Sequence, residues 1–282
     1  QTKDNAVASV DGVEYTRAEG GYWANNGAAM VATVDALQAA LANDEVKNIY
    51  LSAGDYVLPH TAKGKTVSFI GTGNPEDVTV AVTKVGTGGE NCDYGLDGST
   101  VTFEGVTIAT NSSTYIGYAR CNGTYKNCII NGTYTLYGNS TFEKCTFNVS
   151  GDVYNIWTWG APKATFNNCT FNCDGKSMLL YGQANTKLTM NNCVFNDNGG
   201  LTDLKAAIEI GNDYNTSYEL VVNQATVNGF EINDKGINTG TTLWANKSSM
   251  PASKLKVTVD GKNAYNYVAA ADDTQSFTDA IA

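Results

Sequence analysis

The segment Phe166-Asn167-Asn168-Cys169-Thr170-Phe171-Asn172 recurs as Met190-Asn191-Asn192-Cys193-Val194-Phe195-Asn196. Earlier copies are Tyr125-Lys126-Asn127-Cys128-Ile129-Ile130-Asn131 and Phe142-Glu143-Lys144-Cys145-Thr146-Phe147-Asn148. Weaker copies surround Val106 and Ala225. A unit this short cannot bury its apolar side unless the next unit stacks on it, so the repeat demands a solenoid. Within the phrase the apolar spacing is three, then two. A straight strand needs two and two, so the chain must turn a corner at Asn167-Asn168, where asparagine tolerates the left-handed conformation.

A third strand is read ahead of the later phrases, at Tyr134–Gly138, Asn155–Gly160, Ser177–Gly182 and Ala206–Gly211. Three strands per turn, with one tight bend and two looser corners, specify an all-β parallel β-helix. Cys128, Cys145, Cys169 and Cys193 share one repeat position and read as an inward column. Side chains on stacked rungs point the same way, which is unfavourable for disulfides. Cys92, Cys121 and Cys173 fall outside that column.

The ends differ from the middle. Asp11-Gly12 between two apolar runs marks a hairpin. Thr33 is placed to cap a helix from about Val34 to Leu41, with Val34, Leu37, Ala40 and Leu41 on its apolar side. That helix is expected to plug one end of the stack. The organisation expected is one elongated domain: a hairpin and capping helix over 1–48, the β-helix over 49–260, and a closing segment over 261–282.

Charge narrows the partners. The net charge is −10, only Arg17 and Arg120 are arginines, and the lysines look scattered. Phosphate backbones need a basic stripe, so nucleic acid is disfavoured. No apolar run reaches the ~18 residues that would suit a membrane-spanning helix. The only histidine, His60, has no serine or aspartate partner at a triad spacing, and no Cys-x-x-Cys exists. No metal or other cofactor is therefore expected; calcium is left open, with only Asp93 and Asp97, close in sequence, to support it.

With the amphipathic helix, the opening Asn48-Ile49-Tyr50-Leu51-Ser52-Ala53-Gly54-Asp55-Tyr56 and Val67-Ser68-Phe69-Ile70-Gly71-Thr72-Gly73 in place, the chain resembles the right-handed, single-stranded parallel β-helix proteins of the pectate-lyase-like superfamily. The likeness extends over about residues 33–260 and is closest to secreted and surface proteins of bacteria. It implies an extracellular or cell-surface location and a polysaccharide or glycan partner lying on the outside of the third strand. That strand is rich in aromatics, including Tyr115, Tyr118, Tyr134, Tyr137, Tyr154, Trp157, Trp159 and Tyr181. Tyr137, Trp157, Trp159 and Tyr181 are the ligand-binding candidates. Packing is the competing role, because aligning Trp157 and Trp159 with Ile208 and Ile210 would turn both tryptophans inward.

The superfamily's Arg-x-Pro-x-x-Arg lyase pattern and its polygalacturonase motifs are missing, and fold alone does not give activity. Catalytic candidates are Glu209, near Asp203 and Asp213, together with Asp152 and Arg120. Glu104, Lys126 and Glu143 share a column that reads as a surface charge ladder. The sequence thus favours a glycan-binding β-helix without a known catalytic motif. A polysaccharide lyase or glycosidase of unfamiliar type, and an adhesin or tailspike-like shaft, are the alternatives.

Overall fold

A computed structural model describes residues 7–58, 64–82, 98–110, 115–116, 121–160, 162–182, 185–199, 206–211, 216–230, 237–238, 243–247 and 250–264. The chain divides into two compact units, Gln1–Asn131 and Gly132–Ala282.

In the first unit, Val7–Val10 and Val13–Arg17 form the expected antiparallel hairpin, with Asp11 and Gly12 both at positive φ. The helix runs Val34–Ala42, and the Thr33 hydroxyl accepts the Ala36 amide at 3.1 Å. Ala36, Leu37, Ala40 and Leu41 are its buried residues. Val34 is only half-buried; Ala36 takes the place expected for it. The helix packs on the strands Ala28–Val31 and Gly54–Val57. Parallel coils follow, pairing Asn48–Leu51, Thr66–Gly71, Thr100–Glu104 and Asn122–Lys126 in order.

The second unit carries three strands per coil. Sheet I contains Ser140–Glu143, Lys163–Asn167, Thr186–Asn191, Tyr218–Asn223 and Leu255–Val259, all parallel. Sheet II contains Thr146–Asn148, Thr170–Cys173, Val194–Asp197 and Thr226–Asn228. Sheet III contains Thr133–Leu136, Ile156–Thr158, Met178–Leu180, Ile208–Ile210 and Trp244–Asn246. These are the three faces of a parallel β-helix.

Sheets I and II meet at the tight bend. One residue per coil sits there in the left-handed region: Lys144 at φ 53°, Asn168 at 54°, Asn192 at 52° and Gln224 at 57°. Gly105 and Asn127 do the same in the first unit. This single residue breaks the two-residue alternation, so the side chains before and after it both point inward. Before the bend, Phe142 and Phe166 stack at 4.8 Å, 5° from parallel. After it, Phe147, Phe171 and Phe195 stack at 4.7 and 4.9 Å. Such ring pairs add about 0.5–1.5 kcal/mol each beyond the area they bury.

The cysteines fill the angle between these ring columns. Cys145, Cys169 and Cys193 are buried, as is Cys128 in the first unit, and all are free thiols. Cys169 and Cys193 each lie 3.5–3.6 Å from a backbone carbonyl of the preceding coil, at Phe142 and Phe166. Hydrogen bonds with Cys145 and Cys193, and then burial, push the Cys169 thiol upward, so it stays protonated. Val106 extends the interior position, whereas Ala225 is only half-buried. Cys121 and Cys173 are also buried and free, while Cys92 lies outside the described residues. Burial is the main cause pushing Cys173 up to about 12.

Outside the bend, asparagines pair amide to amide. Asn148, Asn172, Asn196 and Asn228 form one ladder at 2.8–2.9 Å. Asn167, Asn191 and Asn223 form another, and Asn168 and Asn192 a third. The second occupies the same column as Glu143, which pairs in register with Asn167. In the first unit, Lys126 and Glu104 approach to 3.9 Å with both side chains about half exposed, a contact worth little.

Two outcomes test this architecture. Lys144→Asn should raise unfolding free energy in a denaturant titration by about 0.5–1 kcal/mol, and Asn168→Ala should lower it by about 1–2 kcal/mol, because left-handed backbone penalises most side chains. Native protein should expose at most one thiol, Cys92, to an aromatic disulfide reagent, and release the other six only on unfolding. Several reactive thiols in the native state would contradict the interior column.

Candidate functional site: the outer face of sheet III

Register decides which sheet III residues face out. Ile156 pairs with Met178, Met178 with Ile208, and Ile208 with Trp244, all buried. Trp157 therefore pairs with Leu179, and Leu179 with Glu209. This corrects the alignment that turned Trp157 and Trp159 inward. Ile156 and Thr158 point into the coil, and the Thr158 hydroxyl donates to the Tyr181 carbonyl at 2.8 Å. Both tryptophans lie on the outer side, half-buried.

There the aromatic candidates meet. Trp159 and Tyr181 stack with ring centres 5.7 Å apart and planes 24° from parallel. Trp157 sets its ring across both, at 79° to Trp159 and 78° to Tyr181. Tyr137 occupies the position equivalent to Trp159 one coil earlier, since the Trp159 amide donates to the Leu136 carbonyl at 3.0 Å. The close approach requires glycine at the next corner. Gly182 has φ +145°, and a Cβ there would fall 2.3 Å from the Trp159 carbonyl oxygen.

A polar network continues this face. Glu209 points outward yet is 5% exposed. The Tyr154 hydroxyl donates to Glu209 Oε2. Lys247 Nζ donates to the Tyr154 hydroxyl at 3.4 Å and stands 3.9 Å from Glu209 Oε1. Lys176 Nζ is 5.5 Å from the centre of the Tyr154 ring and Lys247 Nζ is 5.9 Å from it, so two ammonium groups share one ring. Lys176 also pairs with Asp152. Asp152 and Glu209, separate candidates in the sequence, thus belong to one chain of contacts, Asp152–Lys176–Tyr154–Glu209–Lys247.

The corners hold these groups in place. Tyr154 and Lys176 occupy equivalent positions in successive coils, each two residues before its sheet III strand. Buried Asn155 donates to the Asn172 carbonyl at 2.9 Å and accepts from Ser177 at 3.1 Å. The Gly151 amide donates to Asp174 at 2.7 Å. At Lys247, buried Asn246 ties the turn to Met250 through two hydrogen bonds of 2.8 and 2.9 Å. Sequence patterning singles out the carboxylates but not Tyr154, Lys176 and Lys247 as their partners. The usable signal is the shared repeat position of Tyr154 and Lys176.

Arg120, Tyr118, Asp203 and Asp213 lie outside the described residues, as do His60, Asp93 and Asp97. Among the described residues no three His, Cys, Asp or Glu side chains converge as a metal site, and no helix is long and apolar enough to cross a membrane.

Tyr154→Phe should lower stability by about 1–2 kcal/mol in a denaturant titration, because it strips a donor from a buried carboxylate. Asp152→Asn, at a solvated pair, should change it by under about 0.5 kcal/mol. Equal effects would mean that Tyr154 does not hold Glu209.

A family model described as a right-handed beta helix region matches residues 76–228, more than half of the chain. No curated protein and no solved structure matches it.

Proposed function

Because the chain belongs to the right-handed β-helix family, a fold that serves many activities, we propose that it is a secreted or cell-surface protein that binds polysaccharide along the outer face of sheet III. The observation that carries this reading is the half-buried patch of Trp157, Trp159 and Tyr181, one to two rings per coil. Sugars present apolar C–H faces and polar rims. A patch whose rings cross offers a ring face as well as ring edges, and Tyr137 extends it by one coil. The adjoining Tyr154, Glu209 and Lys247 supply donors and an acceptor for sugar hydroxyls within the same face.

Trp157→Ala and Trp159→Ala are expected to weaken polysaccharide binding about tenfold or more, read by titration of tryptophan fluorescence or by calorimetry. A panel of neutral and acidic polysaccharides that leaves the native protein unbound would end this reading.

The Tyr154–Glu209–Lys247 contact favours a second reading, a glycan-cleaving enzyme in which Glu209 and Tyr154 handle the proton. Cleavage would appear as new reducing or unsaturated sugar ends, lost in Glu209→Gln and Tyr154→Phe. Binding without products would leave the first reading alone.

A further inference from the structure

The lysines that look scattered in the sequence are not scattered on the outside of sheet I. Register places Lys163 beside Lys187, Lys187 beside Glu219, and Glu219 beside Lys256. Adjacent strands lie ~4.8 Å apart, so the row from Lys163 to Lys256 covers about 14 Å. Lys254, in the short turn before the last of these strands, joins them. Together they line a groove of about 540 Å³, with Asn185, Ser217 and Ser253 among its polar walls. Four lysines surround one carboxylate on a chain whose net charge is −10.

The arrangement costs stability if nothing occupies it. Like charges directly opposite on neighbouring strands repel, and Lys163 and Lys187 are such a pair. Glu219 is engaged already, 3.2 Å from Lys187 and 3.3 Å from Lys256. Burial opposes its charge, but the hydrogen bonds and charges of those two lysines hold its carboxyl below the usual carboxylate range. Among the described residues Lys163 and Lys254 have no carboxylate in salt-bridge reach. They stand at opposite ends of the groove, available to a ligand with anionic groups spaced along it.

We propose that this groove binds an extended anionic glycan through its sulfate or carboxylate groups, at a site separate from the aromatic face of sheet III. Nucleic acid fits poorly: the groove has no arginine, a carboxylate sits within the row, and the body around it is acidic. The glycan class rests on the reading of the aromatic patch, which lies just around the corner; Lys163 follows Trp159 by four residues and Lys187 follows Tyr181 by six. The cationic groove itself stands without that reading.

The full chain would be titrated with heparin, polygalacturonate, neutral dextran and inorganic polyphosphate at several salt concentrations. Heparin or polygalacturonate should bind, dextran should not bind in this groove, and affinity should fall as salt rises. The Lys163→Gln, Lys254→Gln double variant should lose about tenfold in affinity at low salt and about one unit of log–log salt slope per lysine, as counterion release requires. Neither side chain has an ion pair among the described residues, so the melting temperature should hold. Glu219→Gln should move affinity upward, a gain that a misfolded variant cannot produce. Unchanged affinity in the double variant, or binding of polyphosphate with neither glycan, overturns the proposal. Trp159→Ala separates the two sites: heparin binding kept while other polysaccharide binding is lost supports a distinct groove. If Trp159→Ala changes no binding at all while the lysine variants do, the aromatic reading fails and the groove survives.

Discussion

One left-handed residue per coil governs the second unit. It sits where sheet I meets sheet II, at Lys144, Asn168, Asn192 and Gln224. Without it the chain would keep alternating, and either the phenylalanines before the bend or the cysteine and phenylalanine after it would face water. With it, both sets turn inward. Parallel pairing then copies each position onto the next coil. The stacked rings, buried thiols and asparagine ladders all follow from that repetition. Asparagine suits the bend twice over, since its backbone accepts the conformation and its amide can pair with the neighbouring coil.

The same register that builds the interior also builds the exterior. A column inside is a row of matched side chains; so is a column outside. On sheet III it assembles rings and then a carboxylate. On sheet I it assembles lysines around Glu219. The two outer surfaces differ in electrostatic character. Around Tyr154 two lysines meet two carboxylates and charge is balanced within the network. In the sheet I groove cations outnumber the carboxylate. The first arrangement suits hydroxyl-bearing ligands and the second suits oxyanions.

Much of the interior is legible in the amino-acid sequence. The spacing of three and then two in Phe166-x-x-Cys169-x-Phe171 identifies the bend, because no regular strand tolerates it. The repeated cysteine identifies a column, because its alternatives, disulfide or metal, lack geometry or partners. The outer face of sheet III is not legible in the same way, for a physical reason. Its strands are only three or four residues long, too short for alternation to fix a phase. Ile156-Trp157-Thr158 against Ile208-Glu209-Ile210 is resolved by backbone pairing, not by residue type: a threonine with its own hydrogen bond is buried and a tryptophan is not. The lysine row is hidden for a related reason. Its members are 24, 32 and 37 residues apart, and loop lengths vary between coils, so proximity along the chain says nothing about proximity across it.

By itself, the sequence determined that this chain winds into parallel coils, where each coil bends tightly, and which residues fill the core at that bend. Those properties depend on spacing within one coil, which is local. Tertiary structure alone decided which aromatics face outward, that Tyr154 reaches a carboxylate two coils on, and that distant lysines share a groove. These depend on the register between coils, which backbone hydrogen bonds set and which no single repeat contains.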